Sequence, residues 1–160
     1  MHRFLIIFMF YCSNLLTAQN NSVVWLNPNK GQWDSRVLYK VDLQMGEMLI
    51  EGDGFTYNLN DYNKLMSHDN EHHHEGKLIG DELVRKQVIK TKFINSGWKG
   101  KKTEKQESVF YRNYFLGNDP EKWKSKVKSY TSVVLEDFYS DIDLIIDGAN
   151  SEMKYSFLVK

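Results

Sequence analysis

The chain has 160 residues, enough for one domain or for part of a larger protein. Hydrophobic residues make up 41% and charged residues 26%, which excludes a disordered tail and fits a globular domain. The 21 basic and 21 acidic residues balance, so the chain lacks the basic character of a nucleic-acid-binding domain, and no nucleic-acid partner is predicted. Nine Tyr, nine Phe and four Trp favour β-strands.

Residues 1–18 have the layout of a secretory signal peptide. Arg3 supplies a positive start, an apolar run follows, and Ala18 provides a small residue for cleavage. The run is short for a bilayer span, which disfavours the alternative of a membrane anchor. We therefore predict export to the extracellular space or cell surface, with no membrane insertion after cleavage. The single cysteine, Cys12, lies in this segment, so the mature chain has no thiol.

Alternating apolar and polar residues predict an antiparallel meander over residues 36–59. The clearest strand is 37–43, where every second residue is apolar. Two shorter strands follow at 47–51 and 55–59, separated by Gly52-Asp53-Gly54, a tight-turn sequence.

The remainder of the chain is also predicted to be β-rich. The segments 60–80 and 96–106 are polar and are predicted to be loops. Further strands are predicted over 87–94, 108–116, 127–135, 142–146 and 153–159. The last two are joined by Asp147-Gly148-Ala149-Asn150 and predict a C-terminal hairpin at 142–159.

No long segment has apolar residues at helical spacing, so the predicted fold class is mainly β with little helix. We expect antiparallel sheets arranged as a sandwich or as one curled sheet. Residues 19–160 are interpreted as a single domain. Because the chain stops within its last predicted strand, we expect that domain to be truncated at its C-terminal edge.

The stretch 111–123, YRNYFLGNDPEKW, is rich in aromatic residues and then becomes polar. Asp119 is expected to cap a short helical turn, with Pro120 at its first position. Trp123 is expected to lie back on the sheet, and the aromatic residues are expected to fill the core. The alternative is an aromatic patch that binds a ligand.

One polar segment contains a cluster of potential metal ligands, His68, His72, His73 and His74, interspersed with carboxylates. Such a cluster could hold zinc, nickel or copper, although no His-Glu-x-x-His order is present. A solvated loop is the simpler interpretation, and no metal or other cofactor is predicted. A secreted metal-dependent hydrolase using these residues is kept as an alternative.

Three aspartates near the C-terminal hairpin, Asp141, Asp143 and Asp147, are the other candidates for catalysis. A carboxylate pair such as Asp141 and Asp143 could support hydrolysis, but turn carboxylates that bond nearby backbone are far commoner. A glycan-binding alternative rests on Trp98 and the lysines of 99–105. No nucleophile elbow, phosphate-binding loop or dinucleotide fingerprint is present.

A set of short motifs follows in an order that resembles one known family. They are Asn29-Lys30-Gly31-Gln32-Trp33, Gly54-Phe55-x-Tyr57, Asn113-Tyr114-Phe115-Leu116-Gly117-Asn118-Asp119-Pro120-x-x-Trp123, Val127-x-x-Tyr130, Leu135-x-x-Phe138-Tyr139-x-x-Ile142-Asp143-Leu144 and Lys154-Tyr155-x-Phe157. Together they resemble the uncharacterised N-terminal domain of large exported surface proteins of gliding bacteria. Where that family has Pro-Gly, this chain has Ser140-Asp141, and the family continues into Pro-Gly-Ala where this chain stops.

The resemblance implies location and architecture rather than chemistry. Proteins of that family commonly continue into β-propeller-type or polycystic-kidney-disease repeats and end in a type IX secretion sorting domain. A non-catalytic structural or interaction module of an adhesin-like surface protein is therefore expected, with other domains of the chain, surface glycans or proteins as partners. Residues expected to have structural roles are Asn29, Gly31, Gln32, Asn113, Tyr114, Phe115, Gly117, Asp119, Pro120, Trp123, Tyr139, Asp143 and Tyr155.

Overall fold

The computed structural model describes residues 23–60, 86–149 and 152–160, and this part of the chain is mainly β. Nine strands form one antiparallel sheet that curls into half a barrel, and two further strands form a separate hairpin. The predicted fold class is therefore confirmed. The strands are β1 (Leu26–Pro28), β2 (Val37–Leu43), β3 (Gly46–Glu51), β4 (Gly54–Asn60), β5 (Lys86–Lys92), β6 (Lys102–Glu107), β7 (Arg112–Tyr114), β8 (Lys124–Val127), β9 (Tyr130–Tyr139), β10 (Ile142–Asp147) and β11 (Lys154–Val159).

The sheet runs in the order β11-β10-β9-β1-β2-β3-β4-β5, and β6 also pairs with β9. The predicted meander is present as β2, β3 and β4, with Met48 opposite both Val41 and Tyr57. The predicted C-terminal hairpin is present as β10 and β11, with Ile142 opposite Val159. No helix in the described ranges has the length and hydrophobicity needed to cross a membrane.

The core consists of side chains at alternate positions of neighbouring strands. In β2 the buried residues are Val37, Tyr39 and Val41, while Lys40 between them is only half-buried. Each fully buried large apolar side chain contributes about 1.5–3 kcal/mol to folding. The cluster also contains Leu26, Met48, Ile50, Phe55, Val133, Leu135, Phe138, Leu144 and Ile146.

Aromatic rings from distant strands meet where the sheet curls over. Phe93, just after β5, packs edge to face against Phe55, Phe138 and Phe157, at centroid distances of 5.2, 5.3 and 5.8 Å. Tyr155 of β11 lies 5.9 Å from the same ring. The rings therefore link β4 and β5 to β9 and β11, in the geometry that aromatic quadrupoles prefer.

Residues 108–129, which we call the arm, project from the sheet between β6 and β9. Glu107 and Tyr130 are paired in the sheet, so the arm continues the same hairpin outwards through β7 and β8. At its base the Ser108 amide donates to the Ser129 carbonyl at 2.8 Å. The Ser129 amide in turn donates to the Ser108 hydroxyl at 3.0 Å.

The tip of the arm contains the predicted short helical turn. The Asp119 carboxylate accepts a hydrogen bond from the Glu121 amide at 3.1 Å, and Pro120 begins a 3₁₀ turn that ends at Lys122. Proline suits this first position because its missing N–H would have no partner in the turn. The predicted cap is confirmed.

Two boundaries around the arm were predicted wrongly. The strand expected at 108–116 is reduced to β7, because the Ser108 hydroxyl donates to the Phe110 carbonyl at 2.7 Å and turns the chain out of the ladder. The loop expected at 96–106 contains most of β6, because pairing with β9 outweighs the weak strand propensity of its charged residues.

Two further strand boundaries also differ from expectation. The strand expected at 127–135 is divided, with Val127 ending β8 and Tyr130 beginning β9. β1 was missed, since three residues are too few to show an alternating pattern.

The aromatic residues of the arm do not fill the core, which corrects the expectation for 111–123. Tyr111 is 54% exposed, Phe115 64% and Trp123 43%. The reason is that the arm lies outside the curled sheet. Its inward contacts come from Phe110, which packs on Trp25, and from Tyr114.

The turn between β9 and β10 accounts for one departure from the resembled family. Asp141 adopts a φ of 56°, the left-handed conformation that glycine takes without strain. A Pro-Gly pair would place glycine at this position. Aspartate is among the few other residues that tolerate it, so Ser140-Asp141 forms the turn at a modest energetic cost.

Candidate interaction surfaces

The loop formed by residues 29–36, which we call the Asn29 loop, is built around one side-chain amide. The Asn29 Nδ2 donates to the Asp34 and Val37 carbonyls at 2.8 and 2.9 Å. Its Oδ1 accepts from the Gly31 and Trp33 amides at 2.9 and 3.2 Å. One side chain thus satisfies four backbone groups of an irregular segment, which fixes its conformation.

Gln32 completes this loop from beneath. Its side chain is buried, its Nε2 donates to the Pro28 carbonyl at 2.8 Å, and its Oε1 accepts from the Lys30 amide at 2.7 Å. These bonds hold the backbone at Lys30, whose side chain is left exposed.

The Asn29 loop packs against the arm, so two motifs that are far apart in the sequence meet. The Trp33 and Tyr114 rings contact edge to face at 5.1 Å. Gly31 has a φ of 109°, and a Cβ at this position would lie 3.2 Å from Cε of Lys124. Glycine therefore permits both the backbone conformation and the close approach of the Lys124 stem.

A groove of about 480 Å³ lies between this loop and β8. Its principal lining side chains are Lys30, Trp123, Lys124, Lys126, Lys128 and Tyr130. Four ammonium groups and two aromatic rings therefore border one depression, and no carboxylate is among the residues that line it.

Hydrogen bonds leave most of this positive charge uncompensated. Lys124 Nζ donates to the Glu121 carbonyl at 2.5 Å. Lys128 Nζ donates to two main-chain carbonyls, at 2.9 and 3.1 Å, and has the Glu107 carboxylate only at 4.0 Å. Among the residues that the structure describes, no carboxylate lies within 4.0 Å of Nζ of Lys30, Lys124 or Lys126.

Trp123 borders the groove with a fixed and partly exposed ring. Its indole N–H donates to the Gly117 carbonyl at 3.2 Å, and Phe115 packs against it edge to face at 5.9 Å. The polar atom of the indole is therefore occupied, and its apolar ring remains available for contact. Burial raises the pKa of Tyr130 to about 12, with Glu104 and Glu107 adding to the shift, so this phenol is neutral at physiological pH.

A second surface is formed by β11, at one end of the sheet. Tyr155 is 52% exposed, Phe157 44%, Leu158 51% and Val159 70%. We call these four residues the terminal-strand surface. In the described part of the chain β11 pairs only with β10, so its other backbone edge is open.

The three aspartates kept as candidates for catalysis lie in or beside β10, and Asp143 and Asp147 are bonded to neighbouring groups. Asp143 is buried and accepts hydrogen bonds from the Asp137 amide at 2.7 Å and from Lys160 Nζ at 2.8 Å. The Lys160 ammonium lowers the pKa of Asp143, and the Asp137 amide adds to this effect. Asp141 is exposed, and Asp147 accepts from the Ala149 amide at 2.7 Å. The geometry thus places no pair of equivalent acids in one cleft.

The other sequence candidates have different outcomes. His68, His72, His73 and His74 lie outside the described residues. Within the described ranges no group of three or more His, Cys, Asp or Glu residues is arranged to hold a metal ion. Trp98 packs on the core, and its indole N–H donates to the Lys101 carbonyl at 2.8 Å. The ring is half-buried, and glycan binding at Trp98 stays a prediction.

Several motif residues have identifiable structural contacts. The Asn113 side chain accepts from the Lys126 amide at 2.9 Å and holds that residue at a φ of 56°. The Tyr139 hydroxyl donates to the Ile94 carbonyl at 3.0 Å. Tyr155 packs on Phe55 and Phe93 at the exposed rim of the core.

The lysines of the groove were missed in the sequence. Lys124, Lys126 and Lys128 occur at every second position, a spacing that places side chains on one face of a strand. That alternation was the available signal. The proximity of Lys30 had no local signal, because it depends on packing between the Asn29 loop and the arm.

Comparison with known proteins identifies one family. A family model described as "Domain of unknown function (DUF7948)" matches residues 26–160. No curated protein and no solved structure matches the chain. Since the family model spans most of the sequence, the chain belongs to the DUF7948 family.

Proposed function

We propose that this chain is a non-catalytic structural and interaction domain of an exported protein, and that the terminal-strand surface holds a neighbouring domain of the same protein. The observation that carries the proposal is β11, which combines an open backbone edge among the described residues with four apolar side chains that are 44–70% exposed. Strands of this kind pair readily with another strand.

The direction of the backbone groups defines the pairing edge. The Lys160 amide donates to the Asp141 carbonyl at 2.9 Å, so the amides that alternate with it, at Ser156 and Leu158, point towards β10. The amides of Tyr155 and Phe157 therefore point away from β10, as does that of Val159. An added strand would bond these groups and extend the sheet.

The side chains favour a protein partner. Natural edge strands are usually protected by charge, proline or a bulge, whereas β11 has lysine only beside its apolar run, at Lys154 and Lys160. An added strand would leave Tyr155 and Phe157 on the core side and would bring apolar side chains against Leu158 on the opposite face. Contiguous exposed apolar residues of this kind mark interaction sites more often than free surface.

The cellular setting of the proposal comes from the sequence. Residues 1–18 read as a signal peptide, and the family match begins at Leu26, after the expected cleavage site at Ala18. The motif resemblance extends the proposal to surface proteins of gliding bacteria that are exported by type IX secretion. A structural role is favoured over hydrolysis because Asp143 is already bonded to Lys160 and the Asp137 amide.

Hydrogen exchange tests the docking proposal. In the 160-residue chain the outward amides of Tyr155, Phe157 and Val159 should exchange quickly, while those of Ser156 and Leu158 are protected by β10 and serve as internal controls. In the intact exported protein recovered from the producing cells, the outward amides should become protected as well. Equal rates in the two samples would overturn the proposal.

Mass spectrometry of the recovered protein should place its N-terminus at Gln19.

A further inference from the structure

The geometry points to the groove between the Asn29 loop and β8 as a binding site for an acidic polysaccharide. In this site the lysines meet carboxylate or sulfate groups, and the Trp123 ring supports a sugar face. This inference goes beyond the docking proposal and does not depend on it, because the terminal-strand surface contributes no residue to the groove.

Charge is the first reason for an anionic ligand. The whole chain is formally neutral, yet four lysines surround one groove of about 480 Å³. Lys124 and Lys128 direct their ammonium groups to main-chain carbonyls, which leave the net charge in place. Among the described residues, Glu107 lies 4.0 Å from Lys128, and Glu104 is near enough to Lys30 for their charges to interact. Concentrated charge in a concave surface attracts a ligand of opposite sign.

The backbone that carries the lysines is fixed by hydrogen bonds. Lys126 has a φ of 56°, which the Asn113 side chain fixes by accepting from its amide. The Lys124 stem lies close over Gly31, where an added Cβ would be 3.2 Å from the Lys124 Cε. The backbone at Lys30 is fixed because its amide donates a hydrogen bond to the Gln32 side chain. A site whose backbone is ordered in advance loses less entropy when a ligand binds.

The exposed indole favours a sugar over a simple ion. Trp123 is 43% exposed, and its N–H is engaged by the Gly117 carbonyl, so the ring offers an apolar face beside the charges. The electron-rich face of an aromatic ring attracts the weakly positive C–H groups of a sugar. A ligand with rings and negative charges in alternation fits both features of the groove.

Nucleic acid shares this chemistry but fits less well. Domains that bind it usually have a strongly basic overall charge, whereas this chain has 21 basic and 21 acidic residues. Stacking of successive bases also needs a series of exposed rings, whereas of the two rings that line the groove Trp123 is exposed and Tyr130 is half-buried. An acidic polysaccharide, with one charge per one or two sugars, is the better match.

Titration calorimetry with four probes tests the inference. The probes are dextran, dextran sulfate, alginate as a polyuronate, and a single-stranded DNA oligonucleotide. We expect binding to dextran sulfate or alginate and none to dextran, with an affinity that falls as salt concentration rises. The better of the two acidic probes identifies the anionic group. Binding to dextran as tight as to its sulfate, tighter binding to the DNA at equal charge, or no binding to either acidic probe would overturn the inference.

Variants locate the site. The double substitution Lys30→Glu and Lys126→Glu should lower affinity for the acidic probe by about tenfold or more, since charge-assisted contacts are lost and repulsion is added. Trp123→Ala should lower it by roughly tenfold through the lost ring contact. Lys99→Glu reverses one charge, against two in the double variant, at an exposed loop residue outside the groove, and it should have little effect. All these positions are exposed, and thermal unfolding verifies that each variant folds.

Three outcomes with the variants would contradict the inference. Unchanged affinity in the double variant would show that the ligand binds outside the groove. Unchanged affinity in Trp123→Ala would show that the ring makes no contact with a sugar. A loss in Lys99→Glu as large as in the double variant would also overturn it, because binding would then follow net charge. None of these substitutions should alter hydrogen exchange in β11, so failure here is distinguishable from failure of the docking proposal.

Discussion

The ring of Trp33 meets the ring of Tyr114 edge to face, with their centroids 5.1 Å apart, and this contact joins the Asn29 loop to the arm. The Tyr114 ring is partly buried, and its hydroxyl has no hydrogen-bond partner in the described part of the chain. The ring therefore contributes to stability more than the hydroxyl does.

Tyr114→Ala should reduce the free energy of unfolding by roughly 2–4 kcal/mol, through lost burial and a lost aromatic pair. The matched control is Tyr114→Phe, which keeps the ring and removes a hydroxyl without a partner. It should change stability by less than about 1 kcal/mol. Urea unfolding measures both variants. A larger loss in the phenylalanine variant than in the alanine variant would show that the hydroxyl, not the ring, fastens the arm.

A second prediction concerns the hydroxyl of Tyr39, which is fully buried and donates to the Glu104 carboxylate. Burial raises the pKa of Tyr39, so the phenol stays protonated as a donor. Burial alone would raise the pKa of Glu104, but the Tyr39 hydroxyl and then Lys102 hold it below its ordinary value. Tyr39→Phe should cost about 1.5–3 kcal/mol, as expected for a hydrogen bond to a charged group.

The control for this substitution is Tyr130→Phe. The Tyr130 hydroxyl is 3.5 Å from the Glu107 carboxylate, too long for a strong bond, and it also lies near Glu104, whose strong bond is to Tyr39, so the loss should be smaller. Chemical denaturation at neutral pH compares the two. Equal losses of stability in the two variants would show that the buried hydrogen bond from Tyr39 to Glu104 does not stabilise the fold more than the exposed one.

A third prediction concerns pH and the pair formed by Asp143 and Lys160. The Lys160 ammonium lowers the pKa of Asp143 from its ordinary value of 3.8, and the two aspartates at 137 and 143 raise that of Lys160 from its ordinary 10.5. A depressed carboxylate pKa stabilises the fold above the ordinary value, and that contribution is lost as pH falls through the folded-state value. The raised pKa of Lys160 stabilises the fold at every pH below its ordinary value, and this contribution is lost only in strong alkali.

Lys160→Met should therefore destabilise the protein at pH 6, and the difference from the wild type should shrink as the pH falls from about 5 towards 2. Lys154→Met is the matched control, since Lys154 is exposed on the same strand and makes no ion pair among the described residues. Urea midpoints across this pH range provide the measurement. A difference that stays constant down to pH 2 would exclude ionised Asp143 as its source.

A fourth prediction follows from the left-handed conformation of Asp141, which has a φ of 56°. Asp141→Gly should raise the free energy of unfolding by up to about 1 kcal/mol, because glycine adopts this conformation without strain. Asp141→Val should lower it, since a β-branched side chain is poorly tolerated there. Thermal unfolding of both variants is the measurement, and a destabilised glycine variant would show that the aspartate side chain is needed in the turn.

Much of the sheet could be predicted from local pattern. The strands β2 and β4 have apolar residues at every second position, β3 is a short apolar run, and the glycine-containing turns between them favour hairpins. The Asp119-Pro120 turn was equally local, since its capping bond spans two residues. Such features depend on neighbours in the chain, so the sequence specifies them directly.

Tertiary structure decided which exposed surfaces the strands create. Lys102–Glu107 is a strand because β9 offers a partner, although its own residues are charged. The aromatic residues at Phe115 and Trp123 look like core in sequence, yet they remain exposed because the arm lies outside the curled sheet. Lys30 borders the groove only because Trp33 packs on Tyr114. The alternation of apolar and polar residues predicts which side chains share one face of a strand. Which face is buried depends on packing between distant segments, which local spacing does not encode.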